Sequence, residues 1–189
     1  MKIASLIVGA LAIAASPVWA QQPEAIQDVQ VSPYFANGRL QGCVVNFDVA
    51  QRDDIYAEGR AVGVSGSLSL YDFGGGRLMA LLKLGFLELG GSYQAPEAAY
   101  LLDGLRTTAD ELYPEQVPSE TPGFGLFAFR LGEATSGVIG RLVAEGVLAF
   151  AYERIGGSSG VPVSLRISEE SQRTSYNECV EALLEPYRS

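Results

Sequence analysis

Two cysteines, Cys43 and Cys179, restrict what this chain can fold into more than any other feature of it. Residues 42–49 alternate: Cys43, Val45, Phe47 and Val49 share one face of a strand, while Asn46 and Asp48 point away. Near the other end, Tyr176, Cys179, Val180, Leu183 and Leu184 recur at the spacing of one helix face. Both sulfurs therefore belong to core-facing stripes, and they meet if the last helix packs on that sheet face. An even cysteine count signals a disulfide in an oxidising compartment, so the expected Cys43–Cys179 bridge depends on export. It would close nearly the whole domain into one loop, worth about 4–5 kcal/mol in the chain-entropy model. No Cys-x-x-Cys is present and both thiols face a core, so a redox role is not expected.

The N-terminus supplies the export signal. Met1-Lys2 precedes an apolar stretch from Ile3 to Ala15, and Val18-Trp19-Ala20 follows with small residues at the cleavage positions. The stretch falls short of the roughly 20 residues that span a bilayer. Residues 1–20 are thus expected to be a cleaved signal peptide, with the mature chain starting near Gln21. Residues 21–189 have the length of one domain. The expected location is outside the cytoplasm, periplasmic first and extracellular second, with no stable membrane insertion of the mature chain. The formal net charge is −9, which repels phosphate backbones and argues against a nucleic-acid partner.

Periodicity then suggests an α+β fold: a mostly antiparallel sheet, able to curl, with two amphipathic helices packed on one face. Residues 28–35 read as an edge strand because of Pro33. Asn37-Gly38 marks a two-residue hairpin. Strands follow over residues 59–71 and 78–89, joined by Gly74-Gly75-Gly76; for the apolar run 78–89 a helix is the alternative, because Leu, Met, Ala and Lys are helix formers, and its flanking glycines favour the strand. Pro96 opens an expected helix whose stripe is Ala98, Leu101, Leu102, Leu105, Ala109 and Leu112, stopped by Pro114. Residues 115–123 form a linker, and 126–131 a strand. Residues 137–152 read as a long strand, with a short helix over 136–145 as the alternative. Residues 161–167 alternate cleanly, with Pro162 marking an edge. Ser168 is placed to cap the last helix. The order of elements suggests a weak βββα duplication with halves 39–113 and 124–187: residues 59–62 resemble 140–143, and residues 66–71 resemble 146–152.

The chain contains no histidine. That excludes a Ser-His-Asp triad, a Cys-His pair and histidine-ligated metals. No phosphate-binding or dinucleotide motif is present, and no cofactor is expected. Carboxylates remain. Asp53, Asp54 and Glu58 form the densest acidic group, read as a solvated connection rather than a catalytic pair or a calcium loop. Glu111, Glu115 and Glu120 read as a solvated helix end and linker. The aromatics Tyr71, Phe73, Phe86, Tyr93, Tyr100, Phe124, Phe127 and Phe129 are core candidates, with the lining of a ligand pocket as the alternative. The reading is an exported, non-catalytic binding or interaction protein. Its alternatives are a carrier of a small apolar ligand and a carboxylate-dependent hydrolase.

Overall fold

The computed structural model describes residues 26–107, 110–113 and 119–188. The expected signal segment, Ala109, the Pro114 stop, Glu115 and the first part of the linker lie outside them. In chain order the elements are β1 (Ile26–Ala36), β2 (Arg39–Asp53), β3 (Arg60–Asp72), β4 (Leu78–Glu88), β5 (Ala98–Asp103), β6 (Leu105–Arg106), β7 (Gly125–Arg130), α1 (Glu133–Glu145), β8 (Val147–Glu153), β9 (Val161–Arg166) and α2 (Glu170–Leu184). One antiparallel sheet has the order β1-β2-β3-β4-β7, and a second has the order β6-β5-β8-β9. Neither is closed into a barrel, and the architecture is the expected α+β.

The long meander β1–β4 follows from period-two alternation. Cys43, Val45, Phe47 and Val49 on β2, Val62, Val64, Leu68 and Leu70 on β3, and Ala80, Leu82, Leu84 and Phe86 on β4 are all buried. Asn37 and Gly38 both have positive φ, as the β1–β2 hairpin requires. Pro33 lies in β1 and Pro162 in β9, each an edge strand of its sheet. The second sheet turns its own alternating face, Ala99, Leu101, Leu148, Phe150, Val163 and Leu165, into the same core. Aromatic pairs join the two sheets: Phe47 lies 5.3 Å from Phe150, and Phe86 lies 5.4 Å from Tyr152. α2 packs against β1 and β2, and α1 against β5 and β8. Val138, Ile139 and Leu142 of α1 and Tyr176, Val180 and Leu183 of α2 belong to that core.

Several expectations are corrected. The helix expected from Pro96 is instead β5 and β6, with Leu112 bridged to Phe129 of β7. Gly104 adopts φ +69, which breaks a helical stripe at its midpoint. β5 satisfies its backbone groups by pairing with β8, burying Ala99 and Leu101 on alternate positions. The stretch from 137 to 152 is not one strand: the alternative helix holds, longer than expected, and ends at Gly146. That residue is left-handed, at φ +68, and donates its N–H to the Leu142 carbonyl. Ser168 does not cap α2, whose N-cap is Glu169 without a side-chain cap bond. The matched segments of the suggested duplication also fall on different elements, residues 59–62 entering β3 and residues 140–143 lying inside α1.

Candidate functional site

α1 and α2 each present a stripe at helical spacing, and a cleft of about 410 Å³ lies between them. Ser136, Ile139, Gly140 and Val143 form one wall, at i, i+3, i+4 and i+7. Asn177, Val180, Glu181, Leu184 and Arg188 line the other side, and Leu70 and Leu131 complete the apolar surface. The size and the apolar lining with a few polar groups are those of a small-molecule site.

Both walls are anchored by specific bonds. Cys43 and Cys179 are disulfide-bonded, with Cα atoms 5.8 Å apart. Cys43 sits opposite Leu70 in the β2–β3 ladder, and Cys179 immediately precedes Val180. The bridge therefore ties one wall of the cleft to the neighbour of its floor. Gln172 adds a second tie, its Oε1 accepting the Val31 N–H of edge strand β1 at 2.7 Å. On the other wall, Glu111 caps α1 from outside the helix. Its carboxylate accepts the N–H of Ala134 at 3.1 Å, the N–H of Thr135 at 3.2 Å and the Thr135 hydroxyl at 2.9 Å. Glu111 is thus no solvated helix end: it satisfies orphan donors at the positive end of α1.

A second polar constellation lies at the ends of β2, β4 and β8. Asp53 is 1 % exposed, which overturns its reading as part of a solvated connection. Its Oδ1 accepts the N–H groups of Ile55 and Tyr56, each at 2.9 Å, and its Oδ2 accepts Arg154 Nη2 at 2.7 Å. Arg154 Nη1 donates to Glu88, and the guanidinium lies over Phe86. Asp54 does stay at the surface, paired with Arg52. Burial pulls the Arg154 guanidinium down, and the Glu88 bond together with Tyr152, Asp53 and Glu88 more than reverses it, leaving the group above its ordinary value. Burial, reinforced by the Asp53 charge, pushes the Tyr152 phenol up to about 12. Two carboxylates do converge here, but the same guanidinium engages both. Such an arrangement ties the ends of β2, β4 and β8 together through one guanidinium. Among the described residues no group of three or more Cys, Asp or Glu is placed to hold a metal ion.

The candidate aromatics are dispersed among the described residues, with Tyr71 packed between Tyr34 at 5.6 Å and Phe73 at 4.6 Å. Phe86, Phe127 and Phe129 are core, and Phe73 and Tyr93 are exposed. Tyr93 packs on Phe124 at 5.0 Å, and Arg106 covers the Tyr100 ring at 3.2 Å. The apolar side chains lining the cleft are aliphatic instead. Their signal was present in the sequence as the helical spacing of Ile139, Val143, Val180 and Leu184. The Asp53 burial was also legible: Val45, Phe47, Val49, Gln51 and Asp53 continue one alternating face. The chain matches no protein-family model, no curated protein and no solved structure.

Proposed function

We propose that this is an exported, non-catalytic binding protein that holds a small apolar ligand between α1 and α2. The observation that carries the reading is the cleft, lined by Leu70, Leu131, Ile139, Val143, Val180 and Leu184 and braced by the disulfide. A disulfide joining β2 to the last helix suits a protein folded in an oxidising compartment such as the periplasm. Among the described residues no helix is long and apolar enough to cross a membrane. The N-terminal segment read as a signal peptide supports the same location. The hydrolase reading has less support, because Arg154 engages both Asp53 and Glu88.

The test is native and denaturing mass spectrometry of the protein purified from an oxidising compartment without added ligand. The expected result is a chain starting near Gln21, with thiols inert to alkylation and a small-molecule mass retained only under native conditions. A protein that carries no added mass natively, and takes up no fluorescent fatty acid in titration, would not be a carrier.

A further inference from the structure

Gly140 has no explanation within the fold. It lies inside α1, where glycine is about 1 kcal/mol less favourable than alanine. The other glycine of that helix does face a neighbour, since a Cβ on Gly137 would require the Asp103 carboxylate to move aside. A Cβ on Gly140 would meet nothing within 4 Å. Neither backbone conformation nor packing against the rest of the chain calls for glycine there. Its position on the cleft wall, between Ile139 and Val143, gives it one evident effect: the helix backbone itself is laid open to whatever fills the cleft.

The lining narrows what that occupant is. It is aliphatic and contains no aromatic ring, so a planar ligand would find nothing to stack on. A trough over one glycine, flanked by isoleucine and valine, suits an unbranched chain. Two charged residues line the cleft, Glu181 and Arg188, both from the α2 end of the chain. Glu181 lies within α2, whereas Arg188 follows the helix end at Leu184 and a short 3-10 turn over Glu185–Tyr187. The two charges are therefore offered at different places along the cleft. The Arg188 guanidinium offers the forked donor set that matches a carboxylate or phosphate, and Glu181 repels such a head.

We infer that the cleft takes a single-chain anionic amphiphile, its unbranched aliphatic chain lying against the α1 backbone at Gly140 and its head drawn to Arg188. This rests on the binding reading above.

The experiment is titration of the mature protein with cis-parinaric acid, an unbranched fluorescent fatty acid, followed by displacement with dodecanoate and with dodecyltrimethylammonium. It is run on the wild type and on Gly140→Ala, Gly140→Leu and Arg188→Gln, with a melting temperature for each. The wild type should bind, and dodecanoate should displace the probe far better than the cationic amphiphile. Arg188→Gln should remove that preference. Gly140→Ala should raise the melting temperature through helix propensity while weakening uptake, and Gly140→Leu should abolish uptake. Uptake by both Gly140 variants at wild-type affinity would place the chain elsewhere and overturn the inference while leaving a binding protein. A lowered melting temperature for Gly140→Ala would show that the fold itself needs the glycine. Equal displacement by both amphiphiles would overturn the anionic head. No uptake by the wild type would remove the binding reading as well.

Discussion

Tyr152 and Tyr176 are fully buried, and each hydroxyl lacks a hydrogen-bond partner among the described residues. Burial holds both phenols above their ordinary value of 10, Tyr152 at about 12. A raised folded-state pKa means the native state keeps a proton that the unfolded chain releases. Stability from this source is whole below about pH 10 and falls as pH climbs to about 12, by roughly 3 kcal/mol for Tyr152. Tyrosinate absorbance should therefore rise in two steps, with Tyr152 and Tyr176 ionising only as the protein unfolds. Tyr152→Phe should move the alkaline unfolding midpoint upward. A single step near pH 10 in a protein that stays folded would contradict the burial of these groups.

Among the elements, α1 depends on a carboxylate that is not its own. Glu111 occupies the position an N-cap side chain usually fills, while the N-cap residue, Gly132, has no side chain to offer. Glu111→Ala should cost about 1 kcal/mol, the usual worth of a cap, and Glu111→Gln should cost less because its amide oxygen still accepts. Urea unfolding of the two variants checks the order. Amide exchange should quicken first at Ala134 and Thr135, whose N–H groups lose their acceptor. Indistinguishable stability of Glu111→Ala and the wild type would mean that the cap contributes nothing. The matching element, α2, is held at Gln172 and at Cys179, so its attachment does not rest on apolar packing alone.

For the whole molecule, the disulfide spans 136 residues and links an inner strand of the larger sheet to the last helix. The double variant Cys43→Ala, Cys179→Ala should lose about 4–5 kcal/mol if chain entropy dominates. The loss should appear as a lower denaturant midpoint at a similar or larger slope. Because the bridge also joins one cleft wall to the strand beside Leu70, fatty-acid uptake by this variant should weaken even where it remains folded. An unchanged midpoint would show that α2 docks without the covalent tie. The ion cluster works at the opposite, loop-bearing ends of β2, β4 and β8. Removing Asp53 would leave Arg154 with Glu88 alone and take the acceptor from the Ile55 and Tyr56 N–H groups, a loss expected to stay below the roughly 3–5 kcal/mol of a fully uncompensated buried charge and read from the urea midpoint of Asp53→Asn.

Local pattern alone determined β2, β3, the β1–β2 hairpin, β9 and α2, and it placed both cysteines on core-facing stripes. In each, side-chain period and turn chemistry agree, and an inward stripe has only one way to be buried. The segments from Pro96 to Leu112 and from Gly137 to Tyr152 carry mixed periods. There, Leu101 and Ala99 serve either a helix or a strand, and only the pairing of β5 with β8 selects the strand. Burial of Asp53 could be read from its alternation, but its partner Arg154 lies 101 residues away and was brought to it by the packing of two sheets. The cleft was likewise decided by tertiary structure. Each wall is a recognisable helical stripe, yet a stripe specifies only that it must face something. Whether two stripes close on one another or leave space depends on where Glu111 and Cys43 fix the helices.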